Sequence, residues 1–310
     1  MQILKPKFWD KKYITFPSLI LLPLAIIYQI VFSIKKTISK RKKFPIPTIC
    51  IGNIYIGGTG KTPLSIKTYE ILKELGGKPV IIKKHYKNHK DEVSLMKNYC
   101  EVIESKKRSE GIKEAIEKKF SSVILDDGYQ DLEIEKDLNI VCFNHRTKIG
   151  NGQVIPSGPL RENLNSLKNC DIILLSGNKD FEFEMLLKKY NKNLNFFYYN
   201  YKAENISQFK NKKLIAFAGI GDPESFFYFL KYSHLNVVKE IKYPDHYNYQ
   251  EKDMDYLFQL EKKHNAKLIT TEKDYFRINS RFKPKLNFIP IKVELRENST
   301  FNKIIEKIMK

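Results

Sequence analysis

GNIYIGGTGKTP, residues 52–63, follows the short apolar run 45–51 (PIPTICI) and precedes apolar residues at helical spacing, Leu64, Ile66, Ile71, Leu72 and Leu75. Strand, glycine-rich loop and helix in that order make the setting a phosphate-binding loop requires. Gly57, Gly58 and Gly60 let backbone N–H groups turn inward around phosphate oxygens. Lys61 supplies a point charge to the β- and γ-phosphates, and Thr62 a hydroxyl for Mg²⁺. The expected nucleotide-binding set is Tyr55, Ile56, Gly57, Gly58, Thr59, Gly60, Lys61 and Thr62, with ATP and Mg²⁺ as ligands. The usual G-x-x-x-x-G-K-S/T spacing would put glycine at position 55, where this chain has Tyr55.

Downstream, residues 122–127 read SVILDD, an apolar strand that ends in two carboxylates. Such an ending is what a phosphate-loop protein uses to hold Mg²⁺ or its waters. Asp126 and Asp127 point in different directions, so one is read as a metal ligand and the other as orienting a neighbour. The bland alternative is a turn or helix cap at a strand end. Further apolar strands are predicted at 79–82, 139–143 and 171–175, with a helix near 110–119. Their alternation argues for an α/β fold with a mostly parallel sheet covered on both faces. Near residue 200 the pattern changes, and a second series begins. A strand at 213–218 leads through Gly219–Pro223 into a helix from Glu224, then come a strand at 267–270 and a closing helix at 301–309. Extended segments at 196–201 and 287–294 are read as a paired β linker. The expected domains are an apolar helix with basic flanks (1–43), a phosphate-loop domain (44–200) and a smaller α/β domain (201–310).

Composition bounds these readings. The chain has 310 residues, 42% hydrophobic and 29% charged, which suits about two globular domains and excludes disorder. Its 55 basic against 35 acidic residues leave a net charge of +20, which asks for an anionic partner such as nucleotide phosphates, nucleic acid or anionic lipid. The four cysteines are too dispersed for a C-x-x-C site, and Cys50 and Cys142 sit in apolar runs as core thiols.

Residues 16–34, FPSLILLPLAIIYQIVFSI, are nineteen in a row without a charge, bracketed by Lys5, Lys7, Lys11 and Lys12 and by the basic stretch 35–43. That length just reaches across a hydrocarbon core. A transmembrane span, an interfacial helix and a buried core helix all compete. The flanking lysines and arginines favour the interface, since each adds about 1 kcal/mol near an anionic leaflet. No small-residue cleavage site follows, which argues against a signal peptide.

Taken together the motifs resemble one family, the tetraacyldisaccharide 4'-kinases of lipid A biosynthesis. The matching segments are GNIYIGGTGKTP (52–63), DDGYQ (126–130), GNGQVIPSGPLRE (150–162), AGIGDPESF (218–226), YPDHY (243–247) and TTEKD (270–274). The resemblance implies two three-layer α/β/α domains, the first P-loop NTPase-like, closing over the nucleotide. It implies transfer of the γ-phosphoryl group of ATP to the 4'-hydroxyl of a tetraacyl disaccharide 1-phosphate. The place implied is the cytoplasmic face of the bacterial inner membrane, with the lipid disaccharide and an anionic membrane surface as partners and no nucleic acid; a monomer is expected. Lys61 and Arg161 are implied as catalytic cations, and Asp126, Asp127 and Glu162, with Thr62, as the Mg²⁺ set. His246 matches the family histidine that assists a catalytic aspartate, for which Asp91 is the best match, although Val93 replaces the proline of the family's D-E-P. Asp131 stands where the family has histidine, and Lys84-His85-Tyr86 where it has R-G-Y. TTEKD is assigned only to the interdomain or nucleotide region, with a strand end and helix cap as the alternative. Two rivals remain: a phosphate-loop kinase or ATPase acting on nucleic acid, and a non-catalytic nucleotide-gated membrane adaptor.

Overall fold

The structure, a computed structural model, describes residues 6–85 and 90–309, with side chains in the second stretch from Glu92 onward. In chain order the elements are α1 (Phe16–Ile38), β1 (Thr48–Gly52), α2 (Lys61–Glu74), β2 (Pro79–Lys84), α3 (Lys90–Lys97), β3 (Val102–Ser105), α4 (Arg108–Glu117), β4 (Ser122–Asp126), β5 (Leu138–Phe143), β6 (Ile172–Ser176), α5 (Phe181–Lys188) and β7 (Asn195–Ala203). They continue with β8 (Lys213–Ala218), α6 (Pro223–Tyr232), β9 (Asn236–Lys242), α7 (Glu251–His264), β10 (Lys267–Thr271), α8 (Glu272–Arg277), β11 (Asn287–Ile289), β12 (Ile291–Leu295) and α9 (Asn298–Met309).

The chain divides into two compact units. The larger holds residues 6–85, 100–200 and 293–309; the smaller holds 90–99 and 201–292. The larger unit is built on an eight-stranded sheet ordered β12-β7-β6-β5-β1-β4-β2-β3. β1 pairs in parallel with both β4 and β5, so the strand that feeds the glycine-rich loop lies at the centre. The order reverses beside β1, and in open parallel sheets the crevice beyond the strand ends at such a point is where ligands bind. β1 and β4 are buried along their whole length, as strands covered on both faces must be. One face packs Cys50, Ile82, Leu125 and Phe143 against Ile112 and Ala115 of α4 and Phe183 and Leu187 of α5.

In the smaller unit a parallel sheet runs β11-β10-β8-β9. Alternate residues of β8 separate to opposite faces. Leu214, Ala216 and Ala218 meet Phe226, Phe227 and Leu230 of α6, while Ile215 and Phe217 meet Met254, Leu257 and Leu260 of α7. Both units are therefore three-layer α/β, as expected. Of the segments read as a linker ribbon, 196–201 lies in β7, whereas 287–294 divides between β11, at an edge of the small sheet, and β12, which neighbours β7 at one edge of the large sheet. The sequence reading misses β3 and β9. Both are edge strands, half polar or half exposed, without the apolar run that marks a central strand.

α1 is long and apolar enough to cross a membrane, with a mean hydropathy of 2.0 and only 11% of its apolar window buried. Phe16, Ile20, Ile27, Val31 and Ile34 are each more than half exposed, which removes the buried core helix from the alternatives. One narrow face is docked on the larger unit by hydrogen bonds. Asn151 Nδ2 donates to Ser18 Oγ at 2.8 Å, Ser157 Oγ to Ser18 O at 2.8 Å, and Tyr28 Oη to Arg161 O at 2.9 Å. The GNGQVIPSGPLRE segment is thus the cradle of the helix as well as the carrier of Arg161 and Glu162.

Candidate active site

The glycine-rich loop leaves β1 and returns into α2. Its left-handed residues are Gly57 (φ 97°) and Gly60 (φ 78°), and Gly60 forms the N-cap of α2. A side chain at either would be strained. Position 55 makes no such demand. Tyr55 is buried and bridges Leu160, and its hydroxyl donates to Asp10, so the residue that departs from the usual spacing anchors the loop. Ile56 N–H donates to Pro159 O at 2.9 Å, and Gly58 O accepts from Asn144 Nδ2 at 3.3 Å. Asn53 sits beneath the loop. Its Nδ2 donates to Tyr55 O at 2.5 Å and to Thr59 Oγ1 at 2.8 Å. Lys61 and Thr62 occupy the first turn of α2, where the helix dipole adds positive potential.

Asp126 and Asp127, adjacent in sequence, have different surroundings. Asp126 is fully buried: Oδ1 accepts from Ser65 Oγ at 2.9 Å, and Oδ2 is paired with Lys83. Asp127 has a left-handed backbone (φ 54°), an uncommon conformation for a non-glycine residue. That turn carries its carboxylate to Lys61 Nζ (3.6 Å) and Arg161 Nη1 (2.9 Å). Burial alone would raise its pKa, but Lys61, Arg161 and Lys83, with the hydrogen bond from Arg161, outweigh it and hold the carboxyl well below the usual range. Arg108 fixes the turn by donating through Nη2 to Asp126 O at 3.0 Å and Asp127 O at 2.7 Å. Asp131 pairs with Arg108 Nη1 at 3.4 Å, so the residue standing in place of a histidine balances the arginine that holds the Asp126–Asp127 turn.

Gln130 links this cluster to the 150–162 segment. Its Nε2 donates to Asn53 O at 2.9 Å and Glu162 Oε1 at 3.0 Å, and its Oε1 accepts from Arg161 at 3.2 Å. Glu162 is buried, and burial raises its pKa against the opposing hydrogen bond from Gln130 and the charges of Lys36, Lys136 and Arg161. Gly52, where β1 ends, is required for this assembly: a Cβ there would lie 2.5 Å from Cβ of Tyr129. Arg161 and Glu162 also line a cavity of about 270 Å³ whose other wall is Tyr28, Phe32 and Lys36 of α1. Among the described residues no three His, Cys, Asp or Glu side chains converge into an all-protein metal cage.

The smaller unit gathers its own cluster. His246, with φ 55°, donates its backbone N–H to Gly219 O at 3.1 Å. Its Nε2 lies 3.7 Å from Glu92 Oε1 and 3.8 Å from Asp245 Oδ1, and Lys273 Nζ reaches Glu92 Oε1 at 2.7 Å. Asp91 occupies the first turn of α3, but its side chain lies outside the described residues; Glu92, its neighbour, is the acid found beside His246. Beneath this cluster Asp274 is fully buried. It accepts from Gly219 N–H at 3.0 Å, Thr271 Oγ1 at 2.7 Å and Arg277 Nη1 at 3.0 Å. TTEKD is therefore a strand end and a helix cap, and it also ties the Gly219 loop to the helix that presents Lys273.

Sequence reasoning assigned no role to Asn53, Lys83, Arg108, Gln130 or Lys273, and it named Glu92 only as part of the Asp91-Glu92 match. Asn53 and Gln130 lie inside segments already quoted, so proximity to the motif was a usable signal. Lys83 and Arg108 are single basic residues in a chain full of them, and only the fold brings them to Asp126 and Asp127.

Comparison with known proteins then decides the lineage. The family model described as tetraacyldisaccharide-1-P 4'-kinase matches residues 17–310. The chain belongs to that family. The tetraacyldisaccharide 4'-kinase of Pelagibacter ubique (strain HTCC1062) is 42% identical over 310 residues, covering 99% of this chain and 98% of that one. The enzyme of the same name from Rickettsia canadensis (strain McKiel) is 36% identical, covering 100% and 98%. The crystal structure of LpxK from Aquifex aeolicus in complex with ATP aligns with a TM-score of 0.69 over 94% of this chain and 99% of that one, at 24% identity, and so shares the fold. The nucleic-acid reading leaves the exposed apolar α1 unexplained.

Proposed function

We propose that this protein is an ATP-dependent kinase that moves the γ-phosphoryl group to the 4'-hydroxyl of a tetraacyl disaccharide 1-phosphate at a membrane surface. The observation that carries the reading is the Lys61–Asp127–Arg161 constellation at the mouth of the glycine-rich loop, in a chain of this family. Backbone N–H groups of 57–62 cradle the triphosphate, and Lys61 reaches the β- and γ-phosphates. On nucleotide binding the Lys61 contact passes from Asp127 to phosphate. Arg161 stabilises charge that develops on the transferring group. Thr62, Asp127 and Glu162 would hold Mg²⁺, whose chemistry is to neutralise phosphate charge; Asp126, taken up by Ser65 and Lys83, keeps its neighbour in place. Asp91 takes the proton of the attacking hydroxyl, assisted by His246.

The exposed apolar face of α1 supports a membrane-surface site, because a face of that size is costly to leave in water. ATP, the phosphorylated lipid and the leaflet are all anionic, which suits a chain of net charge +20. The reading places the protein on the cytoplasmic face of the inner membrane as a monomer. The test is transfer of label from γ-labelled ATP in the presence of Mg²⁺ to detergent-dispersed tetraacyl disaccharide 1-phosphate, beside Lys61→Ala. Label should enter the lipid and vanish with the variant. Absence of transfer by a protein that still binds ATP overturns the acceptor.

A further inference from the structure

Side chains from three separate strand ends hold the carbonyl oxygens of the glycine-rich loop. Asn53, just past β1, donates through Nδ2 to Tyr55 O at 2.5 Å and to Gly57 O at 3.4 Å. Asn144, just past β5, donates through Nδ2 to Gly58 O at 3.3 Å. Tyr199 of β7 donates its hydroxyl to Thr59 O at 3.3 Å. All three side chains are buried. The Asn144 amide is fixed in this sense, because its Oδ1 accepts from Arg146 N–H at 2.9 Å. Asn53 turns Nδ2 to the loop although this leaves its Oδ1 buried without a hydrogen bond among the described residues.

A trans peptide is planar, so its C=O and the N–H of the next residue point in opposite directions. The peptide between Tyr55 and Ile56 displays this: its carbonyl faces Asn53, and its N–H donates on the other side to Pro159 O at 2.9 Å. Holding the carbonyls of Gly57, Gly58 and Thr59 therefore turns the N–H groups of Gly58, Thr59 and Gly60 away from the protein donors. Among the described residues none of those three N–H groups meets a backbone acceptor. Three glycines in four residues would otherwise leave the loop a wide choice of conformations, which an arriving anion would have to freeze. At 3.3–3.4 Å the bonds to Gly57, Gly58 and Thr59 are long. An anion on the N–H side polarises each peptide and strengthens its carbonyl as an acceptor, so the two sets of contacts reinforce each other.

We propose that Asn53, Asn144 and Tyr199 are positioning residues for the nucleotide: they hold the loop's carbonyls inward, so that its N–H groups are aimed at phosphate oxygens before ATP arrives. This rests on the proposed function for the identity of the ligand. None of the three acts on the phosphates directly; each works through a peptide group of the loop. Asn144 and Tyr199 lie outside the loop's own segment, Tyr199 being 140 residues beyond Thr59. The cost of ordering the loop is thereby met on folding and not on binding, which raises affinity without a new contact to the ligand. The effect belongs to ATP and not to the lipid.

The test is equilibrium titration of the full chain with ATP, for wild type, Tyr199→Phe and Asn144→Ala, at a temperature where thermal denaturation shows each to be fully folded. Each variant should bind ATP about threefold to tenfold more weakly, the loss expected for one neutral hydrogen bond. Its KM for tetraacyl disaccharide 1-phosphate should stay at the wild-type value. Tyr199→Phe removes only a hydroxyl, so it keeps the test valid if Asn144→Ala fails to fold. Unchanged ATP affinity in the folded variants overturns the assignment, whatever happens to their melting temperatures, since these side chains would then be scaffold. Equal losses for ATP and lipid overturn it as well, because they report a general loosening of the larger unit. Weakened ATP binding in the variants without label transfer by wild type sinks the kinase reading alone. Label transfer by wild type with unchanged ATP affinity in the variants sinks this assignment alone.

Discussion

Asp127 in the larger unit and Asp274 in the smaller are both acids placed just beyond a parallel strand, and both contact arginine, yet they behave in opposite ways. Asp127 is 27% exposed at its side chain and faces Lys61 and Arg161; its carboxyl is held well below the usual range because those charges, with Lys83, outweigh burial. Asp274 is fully buried with one arginine, a hydroxyl and a backbone N–H; burial dominates over Arg277 and the hydrogen bonds, and its pKa is raised. The first sits on a strained left-handed backbone, the second in the first turn of a helix. The left-handed turn at Asp127 sets its carboxylate among cations at the mouth of the glycine-rich loop. A saturated buried acid marks scaffold. The electropositive space is therefore at the glycine-rich loop, while Asp274 keeps the His246 loop in shape.

The comparison can be broken in three ways, taken from the largest effect to the smallest. Asp127→Asn should lower the rate of phosphoryl transfer on the order of a hundredfold or more while the melting temperature changes little, measured by labelled-ATP turnover beside thermal denaturation. A large loss of stability instead would make Asp127 scaffold. Asp274→Ala should do the reverse. It takes from buried Arg277 its carboxylate Asp274 and leaves it the carbonyls of Gly219 and Tyr247, at a cost of about 3–5 kcal/mol in urea denaturation of the full chain. ATP binding to the larger unit should persist, and its loss would show that the two acids share one role.

The third contrast is in pH. Because the folded-state pKa of Asp127 is lowered, its contribution is present above the ordinary carboxylate range and fades as pH falls toward the lowered value. The stability lead of wild type over Asp127→Asn should therefore shrink on acidification. Asp274 is raised, so its contribution is greatest at low pH and declines as pH rises from the ordinary carboxylate range through the raised value. The lead of wild type over Asp274→Asn should shrink in the alkaline direction. Urea titrations between about pH 3 and 8 read both, and leads that move in the same direction would remove the distinction.

Much of this molecule is written locally. The glycine-rich loop is legible because Gly57 and Gly60 take backbone conformations that few other residues accept, and because β1 and α2 carry period and apolarity in unbroken runs. The central strands declare themselves for the same reason. β3 and β9 stay hidden because an edge strand needs apolar residues on fewer sides, and α3 because its short polar run has no pattern of its own. The two halves of the DD pair were legible as carboxylates with separate tasks. Which does which was not, because that depends on Lys83 from β2 and Arg108 from α4.

By itself the sequence determined the α/β class, the phosphate loop, the apolar N-terminal helix and the segments that carry the family resemblance. Each depends on residues adjacent in the chain or repeated at a fixed period. Only the tertiary structure decided that Asp126 is buried against Lys83 while Asp127 faces Lys61 and Arg161, and that Glu92 and Lys273 meet at His246. Those charges come from separate elements, and their net field is set by distance and burial, which a linear sequence does not contain.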